Sequence, residues 1–511
     1  MRFAPWMAVL LVVLATAAVR WRVLETPLER DEGEYAYMGQ LMLQGIPPYQ
    51  LAANMKLPGT YAAYAAMMAV FGQTIGGIHI GLMLVNAAAI VLIAILGMRL
   101  FGTSAGIAAS AAYALMSVGS QVMGTQAHAT HFVVLAALAG ALLLLRFSDS
   151  GRLSALAGSG ILFGLAFLMK QPGILFILFA LCWLVATEWP RRRSLPVKAL
   201  VFGTAAAVPF LLTCLVMWRA GVFQKFWFWT FTYAREYASE VSLADGWDDF
   251  TDTVVPLVQE NAALWVLAAA GLVYIWFRRE SRRSAIFLTA LLVFSFLAVC
   301  PGLYFRGHYF VMLLPAVALL AGALVKTRPA ALAFTAALLL SIFTQRDFLF
   351  RLTPVQISRE LYGRSPFPEA IPIANYIRSH TSKDARIAVL GSEPEIYFYA
   401  DRHSATSHIY MYGLMEAQPY AVTMQEDLIR EVTAAAPEYI VEASILTSWQ
   451  REEDSPTRIF DWWTAYRTGH YQLVGLAEIL SRERTEYRWD AAAEGYRPRG
   501  DRYILVYRRK P

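Results

Sequence analysis

A succession of apolar runs constrains this chain more than any other feature. From the N-terminus to about residue 345 they recur in blocks of roughly 15–22 residues, near the length that crosses the hydrocarbon core of a bilayer. Candidate spans fall at 5–21, 76–97, 104–119, 130–147, 154–169, 172–187, 197–218, 258–277, 284–300, 307–325 and 329–345. Only 16% of the residues are charged and 57% are hydrophobic, where a soluble chain carries about a quarter charged residues. The excess is confined to the first two thirds, and from about residue 350 the sequence reads as soluble. The expectation is a mainly α, polytopic membrane protein with about 11 transmembrane helices, followed by a soluble α/β domain. The division is expected as 1–348 and 349–511, with long outer loops at 22–75 and 219–257.

Loop charges test this count. With the N-terminus inside, the inner loops hold Arg99; Arg146 and Arg152; Arg191, Arg192, Arg193 and Lys198; Arg278, Arg279, Arg282 and Arg283; and Lys326 and Arg328. The short outer loops hold little that is basic except Lys170 and Arg306. That alternation is what the positive-inside rule requires. It places the C-terminal domain outside an inner (cell) membrane. The run from Trp6 to Val19 after Arg2 could serve as a signal peptide, but a retained first helix is the preferred reading, because acidic residues follow it so closely. The net charge of +6 is a topology signal and not a nucleic-acid footprint. Cys182, Cys214 and Cys300 lie in or beside apolar runs and read as small buried hydrophobes, so neither a disulfide nor a cysteine metal site is expected.

Chemistry concentrates just after the first run, at Arg30-Asp31-Glu32-Gly33-Glu34-Tyr35. Carboxylates beside a membrane boundary suggest function more than packing. Residues 33–44 fit a short amphipathic helix stopped by Gly45 and the Pro47-Pro48 pair, and 60–71 suggest a second. The competing reading is that Glu32 or Glu34 caps a helix N-terminus while Arg30 pairs with an acid. Asp31 is favoured as a general base, with Glu32 as its neighbour. Asp31 and Glu32 fall short of a ligand set, so no cofactor is certain and a divalent cation stays an open option.

An outward-facing membrane enzyme has no nucleotide pool, so its activated donor would travel in the lipid as a polyprenyl phosphate. Such a site needs a base within reach of the acceptor hydroxyl and fixed positive charge beside the leaving phosphate. Lys56, Lys170, Arg306 and His308 are the outer basic groups available. Tyr61, Gln171 and Tyr309 stand near them in sequence, and Gln126 and His128 start the fourth span on the same outer side. Snorkelling for Lys170, belt packing for Tyr309 and a satisfied interior for His128 are the competing readings. His128 and His131 could share a helix face toward a metal, but no third ligand is evident from the sequence. The acidic stretch at Asp245, Asp248, Asp249 and Asp252 reads as a solvated loop face, and Phe226-Trp227-Phe228-Trp229 as an interfacial belt.

The soluble part alternates helix and strand: helices at 368–379, 421–435 and 456–467, and strands at 386–390, 439–441, 471–475 and 503–507. Gly391-Ser392-Glu393 lacks the glycine spacing of a dinucleotide or phosphate loop.

At Asp31-Glu32, the tyrosine-rich helix 33–45, Lys56-x-Pro58, Lys170-Gln171 and Arg306-x-His308-Tyr309-Phe310 with Pro315, the chain resembles polytopic glycosyltransferases of the GT-C fold that use lipid-linked donors. The likeness runs over roughly 1–345 and is greatest to the group of protein O-mannosyltransferases and aminoarabinose lipid A transferases. It departs from them in having Lys56-Leu57-Pro58-Gly59 where Lys-Pro-Pro is common, and in lacking a β-trefoil. The resemblance implies inverting transfer of a sugar from a polyprenyl-phosphate-linked donor to an acceptor hydroxyl on a lipid, glycan or protein. It puts Asp31 at the catalytic position and the basic residues around the donor phosphate. The alternatives are a transporter or flippase of lipid-linked glycans, which would be expected to carry mid-bilayer charges or repeated halves, and an assembly subunit. The expected partners are the donor, an acceptor and membrane lipids, with no nucleic acid.

Overall fold

The computed structural model describes residues 4–277 and 282–511; Arg2, Arg278 and Arg279 lie outside the described residues. Each apolar run contains a helix. The chain opens with α1 (Ala4–Arg22), α2 (Arg30–Leu43), α3 (Pro58–Phe71) and α4 (Ile75–Phe101). Further apolar helices follow at Thr103–Met116, Ala129–Ser150, Leu153–Met169, Ile174–Glu188, Leu195–Arg219, Ala262–Phe277, Arg282–Leu297, Leu314–Ala323 and Arg328–Thr344. Among the described residues, five stretches are long and apolar enough to cross a bilayer unaided, or six if a bent pair is counted as one span. The remaining runs are shorter, so the count of eleven is not fixed by helix length. Leu314–Ala323 shows why one of them can be short: every residue in it is buried. It is enclosed by other helices and needs no lipid-facing surface. The outer surface carries the opposite signature, with Leu11, Leu200, Trp218 and Val266 each more than 60% exposed, as suits a bundle solvated by lipid. Cys182 shares that exposed face, and Cys214 and Cys300 are only partly covered. The expectation that all three are buried is therefore corrected: an apolar side chain facing lipid needs no burial in protein.

The acidic stretch is also corrected. It is not a loop but an amphipathic helix, Leu243–Glu260, that meets Ala262–Phe277 at 96°. Ser242 caps it by accepting from the Asp245 amide at 3.2 Å. Asp245, Asp248, Asp249 and Asp252 are exposed along it. It alternates acids with Trp247, Phe250 and Val254, which makes it amphipathic.

The C-terminal part is one six-stranded sheet: β1 (Arg386–Leu390), β2 (His403–Ser404), β3 (Tyr439–Ser444), β4 (Tyr471–Ile479), β5 (Thr485–Trp489) and β6 (Tyr503–Arg509), in the order β2-β1-β3-β6-β4-β5. β1 runs parallel to β2 and β3, with Ile387 opposite Tyr439, and the other pairs are antiparallel. β2 and β5 lie beyond the sequence expectation. The first is two residues long, and the second is a polar edge strand with no alternating apolar face. Helices Phe367–His380 and Glu395–Ala400 join this sheet to α2. A Cβ on Gly33 would lie 2.6 Å from both the backbone nitrogen and the Cβ of Glu395. Only glycine allows α2 to approach so closely, and that contact seats the sheet over the start of α2.

Candidate active site

α2 begins three residues earlier than its apolar periodicity suggests because of its cap. The Glu29 side chain accepts from the Glu32 amide at 2.9 Å, and the Glu32 carboxylate accepts from the Glu29 amide at 3.4 Å. This capping box places Asp31 in the first helical turn. From there its carboxyl enters a cavity of about 470 Å³ lined also by Lys56, His128, Arg306, His308 and Tyr309. Residues far apart in sequence thus meet at one site. Lys56 Nζ lies 3.7 Å from Asp31 Oδ2, and the Tyr410 hydroxyl donates to Oδ1 at 3.4 Å. Burial would raise the Asp31 carboxyl, but Lys56, His128, Lys170 and Arg306 outweigh it and hold it down at about 2. The Lys56 ammonium is destabilised by burial, yet Asp31 and Glu34 more than offset this and keep it charged.

Lys170 stands one layer back. Its Nζ sits 3.5 Å above the ring centre of Tyr309, a cation–π contact. Burial, then repulsion from Lys56, pulls its ammonium well below the usual lysine range. Gln171 acts on the loop and not in the cavity, its amide donating to the Met55 carbonyl at 2.6 Å, which fixes the residue before Lys56.

Several sequence candidates are turned away. Glu32 is fully buried and accepts from the Ala127 amide at 2.6 Å and from His79 Nε2 at 3.0 Å. It ties α2 to α4 and to the start of Ala129–Ser150, so neither a catalytic place beside Asp31 nor a cation shared with it fits. Glu34 is equally enclosed, accepting from the Tyr61 hydroxyl at 2.6 Å and from Asn54 Nδ2 at 2.5 Å. Burial raises its carboxyl to about 7. Tyr35 and Tyr61 pack ring on ring, with centroids 6.0 Å apart. Gln126 is fully buried outside the cavity lining.

The third metal donor that the sequence does not reveal is present in type: Asp31, His128 and His308 bring one ligand atom each within 4.8 Å of one another. Their orientation does not suit a cation. The His128 and His308 rings are stacked at 4.0 Å with an interplanar angle of 11°. Their in-plane lone pairs lie in nearly parallel planes and cannot converge on one ion, and Lys56 and Arg306 share the cavity.

Sequence reasoning also misses a whole wall. Tyr410, Tyr412, Glu416, Thr447 and Gln450 from the C-terminal part line the cavity, and Arg30 lies among them. No motif could reveal them, because they meet Asp31 only through the packing of α2 on the sheet.

The fold has known counterparts. The family described as dolichyl-phosphate-mannose-protein mannosyltransferase matches residues 56–218. ArnT from Cupriavidus metallidurans in the apo state superposes with a TM-score of 0.61 at 15% identity, over 98% of this chain and 97% of that one. The same protein bound to undecaprenyl phosphate gives 0.58 at 16%, with the same coverage. The archaeal oligosaccharyltransferase AglB from Archaeoglobus fulgidus, in complex with an inhibitory peptide and a dolichol-phosphate, gives 0.54 at 11%, over 98% of this chain and 75% of that one. No curated protein sequence matches. The chain has the GT-C fold of polytopic membrane glycosyltransferases. Within that fold it resembles the protein mannosyltransferase and ArnT group.

Proposed function

We propose that this chain is a glycosyltransferase of a cell membrane, moving a sugar from a polyprenyl-phosphate-linked donor to an acceptor hydroxyl on the extracytoplasmic face with inversion at the anomeric carbon. The observation that carries the reading is the convergence of Asp31, Lys56 and Arg306 on one cavity. A base and fixed cations in one water-poor site are what the transfer requires. The matches to structures bound to undecaprenyl phosphate and to dolichol-phosphate support a lipid phosphate as the donor's carrier.

In this mechanism the Asp31 carboxylate takes the proton of the acceptor hydroxyl. The hydroxyl oxygen forms its bond to the anomeric carbon as the bond from that carbon to the phosphate oxygen breaks. The electron pair stays on the polyprenyl phosphate, where Lys56 and Arg306 balance the charge and Lys170 supports them from behind Tyr309. Paired with Lys56, Asp31 is a weak base. An arriving phosphate would compete for Lys56 and Arg306 and leave the carboxylate less stabilised, raising its basicity once donor is bound. The acceptor is a lipid, glycan or protein hydroxyl. The C-terminal part, taken as a domain from 349, stands on the extracytoplasmic side with the cavity.

The test is transfer in vitro from a polyprenyl-phosphate sugar to an acceptor with purified wild type and Asp31→Asn. The expected result is turnover by wild type, a large loss in the variant, and retained donor binding. Equal turnover by both would overturn the role of Asp31.

A further inference from the structure

Besides Lys56 and Arg306, the cavity is lined by the aromatic side chains Trp229, Tyr233, Tyr237, Tyr304, Tyr410 and Tyr412, of which Trp229 and Tyr233 belong to the segment Phe228–Tyr233. One carboxylate stands among them. Glu416 is 8% exposed, and its Oε2 accepts from the Tyr233 hydroxyl at 2.6 Å. Among the described residues no ion pair engages it. The packing that puts it there is tight: a Cβ on Gly413 would come within 2.6 Å of the Tyr233 hydroxyl.

A carboxylate with spare acceptor capacity, set among aromatic faces on a cavity wall, is open to donors from a ligand. A phosphate dianion or diester cannot supply them. Sugar hydroxyls can, while the apolar face of the ring lies on tyrosine or tryptophan. We propose that Glu416 is the centre of a carbohydrate-hydroxyl subsite contributed by the C-terminal part, accepting hydrogen bonds from ring hydroxyls of the sugar that enters this cavity. The proposal rests on the glycosyltransferase reading and deepens it by naming the group that reads the sugar. That sugar is the one on the donor or one on the acceptor; the hydrogen-bond chemistry is the same.

The groups facing Glu416 set its charge. Burial raises its carboxyl, Glu240 and Glu452 add to this, and Tyr233 and Arg306 oppose them, leaving it at about 7. Sugar binding through an ionised Glu416 would therefore weaken as the pH falls below 7. Glu416→Gln keeps the shape and removes both the charge and the titration.

The experiment measures binding to full-length wild type, Glu416→Gln and Tyr233→Phe between pH 6 and 8. The probes are bare undecaprenyl phosphate, mannosyl-phosphate-undecaprenol and methyl α-mannoside. Charge-assisted hydrogen bonds of this kind correspond to about ten- to a hundred-fold in affinity. Glu416→Gln should weaken mannosyl-phosphate-undecaprenol by that factor and leave the bare lipid unchanged if the donor sugar is read. It should weaken methyl α-mannoside alone if the acceptor is read. In either case the loss of affinity of the sugar-bearing probe below pH 7, relative to the bare lipid, disappears in Glu416→Gln, and its midpoint moves upward in Tyr233→Phe. Unaltered affinity for both sugar probes, with the pH profile intact, overturns the subsite. Failure of wild type to bind bare undecaprenyl phosphate would instead count against the phosphate site.

Discussion

Arg30 reaches out of α2 to Glu393 beyond the end of β1, with its guanidinium 3.4 Å from the carboxylate and its Nε donating to the Ser392 carbonyl at 2.5 Å. Phe367 and Tyr412 cover it at 5.5 and 5.2 Å. In an open α/β sheet, the crevice beyond the carboxyl ends of parallel strands is where ligands usually bind. Here an arginine of the membrane part fills it. The residue after that arginine is Asp31, so the sheet holds the helix turn that carries the proposed base.

That contact predicts a coupling. Both partners are buried, and removing one strands the other, at a cost of about 3–5 kcal/mol. Arg30→Ala should lower the melting temperature and abolish most transfer. Adding Glu393→Leu should restore much of the stability, since no buried charge remains, but not the activity, since the turn is no longer held. A thermal-melt and turnover cycle over the four proteins checks this. Independent, additive effects would dissolve the link between sheet and helix.

The charge balance at Asp31 fixes a pH prediction. Its carboxyl is depressed to about 2, so its contribution to stability is present above the ordinary aspartate value and is lost only as pH falls through that range. The kcat/KM for donor, which reports the free protein, should accordingly show no acid limb from Asp31 above about pH 4. Asp31→Asn should reduce turnover by about 10²–10⁴. Lys56→Met removes the largest opposing charge and should move the limb upward. A limb that stays fixed in Lys56→Met would separate the two residues.

The architecture was legible because burial in lipid leaves a coarse, local signature: apolar runs and loop charges. Asp31, Lys56 and Arg306 were legible because charges at span ends are rare. Glu32 shows the limit. Beside Asp31 in sequence it looks like a partner, yet one further step round a helix turns its carboxylate to Ala127 and His79. Glu416 shows the opposite limit. Nothing around it in sequence marks it, since its environment is made by Tyr233 and by the seating of the sheet on α2.

Glu34 links stability to pH through burial. Its carboxyl stands at about 7 against an ordinary 4.5. The stabilisation is complete below the ordinary value and lost as pH rises through about 7, a difference of about 3 kcal/mol. The wild-type melting temperature should fall between pH 5 and 8, and Glu34→Gln should flatten that decline. Equal slopes in the two proteins would mean that Glu34 does not titrate in this window.

Lys170 makes donor binding a proton-linked event. Burial and Lys56 push its ammonium well below the usual range in the free protein, whereas a lipid phosphate beside Tyr309 would restore the charged form. Binding should therefore take up a proton, and affinity should fall as pH rises through the depressed value. Calorimetry of undecaprenyl phosphate binding in buffers of different ionisation enthalpy reads this directly: the apparent heat should change with the buffer. Lys170→Met should abolish the buffer dependence and weaken binding by about ten-fold or more, the effect of losing one charge-assisted contact. Lys170→Arg, which stays protonated, should retain affinity while losing the proton uptake. A buffer-dependent heat that survives in Lys170→Met would assign the proton to another group.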